Sequence, residues 1–259
     1  MNLFYRTHGI ATNPALFILH GLFGQSDNWQ TLGKKIADAG FYVVLVDLRN
    51  HGLSPHSTEW TYTTMANDVY VLTQTLGIQC THVLGHSMGG KVAMELAYEH
   101  PYVVHKLIIA DIGPKPYPVH HGAILEALRS CEFTATTTRK ELETLLTQRI
   151  ADVGTRQFLL KNLYWNEANI LQWRFNLDVI ANNIIEVGKE SLVNKVYSQP
   201  TLFMRGGNSN YILDEDWDTV LDKFPQAELS TIANAGHWLH AEQPQAFYDV
   251  LVEYLYHGG

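Results

Sequence analysis

Short runs with scarcely a polar residue recur along this chain: 15–19 (ALFIL), 41–46 (FYVVLV), 82–84 (HVL), 107–110 (LIIA) and 201–204 (TLFM). A strand that is apolar at successive positions must be covered on both faces, because alternate side chains point to opposite sides of a sheet. Longer amphipathic stretches lie between the runs. Met65, Val69, Leu72 and Leu76 share one face of a helix, and Gly77 stops it. Strands alternating with helices predict an α/β fold, with a mostly parallel central sheet, right-handed crossovers and helices on both faces. With 259 residues, 46% of them apolar, the chain can bury the core of one large domain, or of one domain carrying an insert.

The rhythm breaks after Asp111. Residues 114–195 carry helical patterns and no convincing strand, and Thr138-Arg139-Lys140-Glu141 has the spacing of a capping box. Pro114, Pro116 and Pro118 mark the departure, and Pro200 marks the return to a strand. The expected organisation is a core of residues 1–113 and 196–259 with a helical cap inserted at 114–195.

A formal charge of −8 argues against nucleic acid as a partner, since phosphate backbones are gripped by basic surfaces. The two cysteines, Cys80 and Cys131, imply no disulfide framework and fit a reducing compartment. The opening residues, Met1 to His8, lack the basic-then-apolar layout of a signal peptide. The apolar runs fall far short of the roughly 20 residues that span a bilayer. A cytoplasmic protein without a membrane span is expected. His120-His121 lacks metal-ligand spacing, so no metal is expected, and these two residues, with His56 and His257, are read as solvent-facing.

Gly85-His86-Ser87-Met88-Gly89 is G-x-S-x-G, placed after the run at 82–84 and before a helix-forming stretch. In that strand–turn–helix setting the motif reads as a nucleophile elbow, a tight turn that lifts the Ser87 hydroxyl above the sheet. Acyl transfer also needs two backbone N–H groups aimed at the developing oxyanion. One is expected from Met88, and the other from the turn His20-Gly21-Leu22-Phe23-Gly24, from Leu22 or failing that Phe23. His237, in Asn234-Ala235-Gly236-His237-Trp238, follows a strand-like segment near the C-terminus and suits a general base, with His240 as its local competitor. Asp47-Leu48-Arg49-Asn50-His51-Gly52 reads as a strand-end turn held together by its own polar residues.

An HG loop, D-x-R-x-H-G, G-H-S-M-G-G, a helical insert and A-G-H-W, in that order, resemble the α/β-hydrolase superfamily. More narrowly, HGLFG, HSMGGK, ADIGP at 110–114 and GGNSNY at 206–211 resemble the YbfF-like bacterial esterases and their mitochondrial relatives among the abhydrolase-domain proteins. The resemblance implies a cofactor-free hydrolase acting on a small-molecule ester or thioester, with a helical lid over its pocket. Many superfamily members carry G-x-x-D after the strand that ends near Met204, and that Asp orients the histidine. Ser209 stands there in this chain and cannot carry the charge. Asp111 ends the run at 107–110, in the chain order nucleophile, acid, base, and the YbfF-like pattern points the same way, so Asp111 is the expected acid. Asp214 and Asp47 remain as rivals.

The leading expectation is a carboxylesterase for short to medium acyl chains, working through an acyl-enzyme. A thioesterase or perhydrolase would use the same residues, and a non-catalytic binding module is the distant alternative. Aromatics of the insert, Tyr117, Phe133, Phe158, Tyr164, Trp165, Trp173 and Phe175, include candidates for an acyl pocket. Phe23, Tyr117, Trp165 and Trp238 are the expected substrate contacts.

Overall fold

The computed structural model describes residues 1–257. The core begins with β1 (Tyr5–His8), β2 (Ala15–Leu19), α1 (Gln30–Asp38), β3 (Tyr42–Val46), α2 (Tyr62–Thr75), β4 (Thr81–His86), α3 (Met88–Glu99) and β5 (Val104–Ala110). The insert follows, with α4 (Gly122–Arg129), α5 (Arg139–Thr147), α6 (Val153–Leu160), β6 (Leu163–Trp165), β7 (Leu171–Trp173) and α7 (Leu177–Asn182). The core resumes with β8 (Thr201–Gly206), α8 (Trp217–Lys223), β9 (Ala227–Ile232), α9 (Leu239–Glu242) and α10 (Pro244–His257). One seven-stranded sheet runs β1-β3-β2-β4-β5-β8-β9. Its neighbours are parallel except β1, which pairs antiparallel to β3.

The apolar runs are the central strands, and their residues feed two cores in turn. Phe17, Leu19, Val44, Val46, Val83, Leu107 and Ile109 pack with Met65, Val69 and Leu72 of α2 and with Val92 and Leu96 of α3. Leu16, Ile18, Val43, Leu45, Leu84 and Ile108 pack on the other face with Leu32 and Ile36 of α1 and Phe247 and Leu251 of α10. All these strand residues are at most 1% exposed, which is why the sequence shows no alternation there. β1 (YRTH) escapes such a reading. As a half-exposed edge strand it needs no apolar run.

α5 starts as the Thr138–Glu141 spacing predicts: the Thr138 hydroxyl accepts the Glu141 N–H while the Glu141 carboxylate accepts the Thr138 N–H. The insert departs from a strandless expectation in the β6–β7 hairpin. Each strand has three residues, too few to display alternation. The Asn166 side chain closes its turn by accepting the Ala168 and Ile170 N–H groups.

The outgoing and returning backbones of the insert are paired, Ser191 N–H to Pro114 carbonyl and Tyr117 N–H to Gly188 carbonyl, both at 2.8 Å. Lys91 of α3 ties both to the core by donating to the carbonyls of Lys115 and Lys189. Burial pulls its ammonium down to about 7. Asn162 donates to the Phe23 carbonyl and Tyr62 to the Val187 carbonyl, each at 2.9 Å. The insert therefore sits over the loops that leave the carboxyl ends of the parallel strands. Among the described residues no helix is long and apolar enough to cross a membrane, and Cys80 and Cys131 are both free.

Candidate active site

β4 passes into α3 through a single residue, Ser87, at φ 52° and ψ −119°. A non-glycine residue held there stores roughly 1–3 kcal/mol of strain. The surroundings impose it. Ser87 N–H extends the β4–β5 ladder to the Ala110 carbonyl at 3.0 Å. A side chain on Gly85 would run into the Gly89 carbonyl, and one on Gly89 into the carbonyl of Leu19. Only glycines at those two positions let helix and strand come so close.

Asp111 repeats the device at the end of β5. It sits at φ 52°, with its N–H on the Met204 carbonyl at 2.8 Å and its side chain fully buried. A buried carboxylate is costly unless its oxygens are hydrogen-bonded. Here Oδ1 accepts the Gly206 N–H at 2.9 Å. Oδ2 accepts the Ser209 hydroxyl at 2.5 Å and His237 Nδ1–H at 2.8 Å. His237 stands between β9 and α9, with Nε2 3.0 Å from Ser87 Oγ. The Tyr211 ring stacks on the imidazole, centroids 4.0 Å apart. With the proton on Nδ1, the free lone pair of Nε2 faces the serine hydroxyl, and such an arrangement can activate an alcohol.

Of the rival acids, Asp214 is 91% exposed and pairs with Arg205 at 2.6 Å. Asp47 accepts the Leu53 N–H, which braces its own turn, and the Ser26 N–H, which ties that turn to the segment after β2. His240 stacks on Trp29 with centroids 4.0 Å apart. Ser209, the residue at the usual acid position, donates its hydroxyl to the carboxylate supplied from β5 instead. A side chain on Gly21 would lie 3.3 Å from Ser87 Cβ, so the loop with Leu22 and Phe23 runs alongside the serine. Among the described residues neither the Leu22 nor the Phe23 N–H meets an acceptor. The Met88 N–H, at the first position of α3, has no partner within its helix.

These groups open onto a cavity of about 1080 Å³ between core and insert, lined among others by Leu22, Phe23, Tyr117, Phe158 and Trp238. Of the seven insert aromatics, Tyr117 and Phe158 line it. Trp165 does not: the hairpin turns it outward, 54% exposed, which corrects its expected place as a substrate contact. Trp173 packs against both Phe133 and Phe175 within the insert, and Phe175 also meets Phe23 of the core. His120 and His121 also line the cavity: His120 is exposed, as read from the sequence, whereas His121 is half-buried and burial lowers its pKa. The signal for this was their place at the foot of the insert, beside the proline-marked departure.

Three histidines in and around the site are held without charge. Burial pulls His20 from the ordinary 6.5 to about 4, and His51 and His240 to about 3. The unfolded chain binds protons at these rings from about pH 6.5 downward while the fold refuses them, so stability is full above that pH and falls as pH drops towards 4. Each fully refused proton steepens the fall by about 1.4 kcal/mol per pH unit. Thermal midpoints measured from pH 7 to pH 4 should drop steeply, and His51→Asn should flatten the profile. An equally steep profile in the variant would contradict the assignment.

The α/β-hydrolase-fold family model matches residues 14–244. The chain is 39% identical to an sn-1-specific diacylglycerol lipase of Mus musculus (ABHD11), over 95% of this chain and 82% of that one. It is 36% identical to the esterase YbfF of Escherichia coli K12, over 94% and 93%. A solved esterase from a marine microorganism superposes with a TM-score of 0.94 at 40% identity, covering 97% of this chain and 98% of its own.

Proposed function

This chain belongs to the α/β-hydrolase fold family, and on that premise we propose that it is a cofactor-free serine carboxylesterase working through an acyl-enzyme. The observation that carries the reading is the relay from Ser87 Oγ to His237 Nε2 at 3.0 Å and from His237 Nδ1 to Asp111 Oδ2 at 2.8 Å. Ser87 Oγ attacks the acyl carbon while His237 Nε2 takes its proton, and Asp111 stabilises the imidazolium. The oxyanion is received by the Leu22 and Met88 N–H groups. The imidazolium then protonates the leaving alcohol. Water, deprotonated by His237, attacks the acyl-enzyme and releases the acid, restoring Ser87. Residues 114–195 act as the lid, with Phe23, Tyr117 and Trp238 around the substrate, and the apolar walls desolvate the acyl chain. The relatives named esterase and lipase support ester rather than another bond as the target.

The test is a panel of acyl esters and acyl thioesters of graded chain length, assayed side by side. Esters of short to medium acyl chains should be preferred. Phe158→Ala should shift the preference to longer chains while a small fluorophosphonate reacts with Ser87 at an unchanged rate. Turnover of thioesters alone would overturn the ester reading, and an unmoved profile would remove Phe158 from the acyl site.

A further inference from the structure

The relay fixes the ring of His237, but its main chain lies in a loop outside any ladder. That loop is held from two sides. The Glu242 carboxylate of α9 accepts the Gly236 N–H at 2.7 Å through Oε2 and the Trp238 N–H at 3.2 Å through Oε1. His86, the residue before the nucleophile, donates from Nε2 to the His237 carbonyl at 2.8 Å. Three polar groups of consecutive residues around the base thus end on side chains from two other elements. We propose that Glu242 and His86 are positioning residues that hold the base by its backbone at the distance Ser87 needs. This rests on the serine-hydrolase reading of the site.

The geometry makes the two clamps complementary. His86 is covalently joined to Ser87, so a single hydrogen bond references the base directly to the nucleophile. The residue is 3% exposed, and its ring lies 4.9 Å from the His237 ring, centroid to centroid. A charge there would oppose the imidazolium that forms during turnover. Burial, with His240 and His237 close by, holds the His86 pKa well below its ordinary value, so the ring donates a proton without carrying charge. Glu242 grips the residues on either side of the base and stops the loop from pivoting about that bond. Both side chains border the cavity, but neither hydrogen-bonds Ser87 Oγ or the ring nitrogens of His237, whose partners are each other and Asp111. Their effect is on alignment, where displacements of about 1 Å can cost on the order of 100-fold in rate.

Glu242 is exposed, so its variants give the safer test. Glu242→Ala should lower kcat roughly tenfold and leave KM within about twofold, because alignment and not binding is lost. Glu242→Gln, whose amide oxygen still accepts one of the two N–H groups, should recover part of the loss. His86→Gln retains a donor of similar reach and should outperform His86→Leu. Should either His86 variant fail to fold, the Glu242 pair decides. A second readout is the downfield proton resonance of His237 Nδ1–H, which should broaden in Glu242→Ala and sharpen again in Glu242→Gln. An unchanged kcat in Glu242→Ala, or equal losses in both Glu242 variants with that resonance unmoved, would overturn the proposal. Wild-type protein that takes up no fluorophosphonate at Ser87 would instead sink the serine-hydrolase reading, so the two failures are separable.

Discussion

Ser87→Ala is expected to lower kcat by on the order of 10⁶, the loss seen when a nucleophile is removed from a relay that acts as a unit. The alanine keeps the Cβ and the strained backbone, and it removes only the oxygen that faces His237 Nε2. The fold should survive, since Ser87 N–H and its flanking glycines hold the elbow without the hydroxyl. Residual turnover would come from the two oxyanion donors and substrate binding, which persist without the nucleophile. A variant that retains a large share of wild-type esterase activity, with an unchanged melting temperature, would place the chemistry elsewhere in the cavity.

Asp111→Asn should cost about 10³- to 10⁴-fold in kcat. The Asn oxygen can still accept the Gly206 N–H, so the buried turn keeps its brace. The amide nitrogen then faces His237 Nδ1 and donates to it, which drives the ring proton to Nε2. In that tautomer the ring has no lone pair to receive the Ser87 proton. Asp214→Asn serves as the control. Its carboxylate is 91% exposed against Arg205, and the change should leave kcat within roughly twofold, as exposed ion pairs contribute little. Comparable folded fractions for both variants, checked by circular dichroism, make the kinetic comparison decisive. If Asp214→Asn is the crippled variant and Asp111→Asn is active, the acid has been misassigned.

How much of this was legible in the sequence follows from how local each feature is. The central strands were readable because burial on both faces leaves a continuous apolar run, as in 15–19 and β2. The elbow was readable because Gly85 and Gly89 are demanded by a close approach of helix and strand within a few residues. β1 and the β6–β7 hairpin were not, one being a polar edge and the other too short for a period. The relay joins residues from three strand ends, and chain order and resemblance ranked Asp111 ahead of Asp214. No pattern could reveal that Ser209 shares an oxygen of Asp111 with His237, since that contact spans 98 residues of sequence. The same holds for Trp165. An aromatic in the insert suggested a pocket wall, yet the direction it faces depends on a hairpin the sequence does not announce. His86 and Glu242 were invisible for a further reason, because both act on backbone atoms, which carry no sequence signal.

Whether Ser87 is a covalent nucleophile is decided by the mass of the protein after incubation with a small fluorophosphonate, followed by peptide mapping. One phosphonyl group per chain on the peptide containing Ser87, with esterase activity lost in proportion and no adduct in Ser87→Ala, is the predicted result. A protein that hydrolyses esters at full rate while Ser87 stays unmodified, or that carries the adduct on another residue, would contradict it.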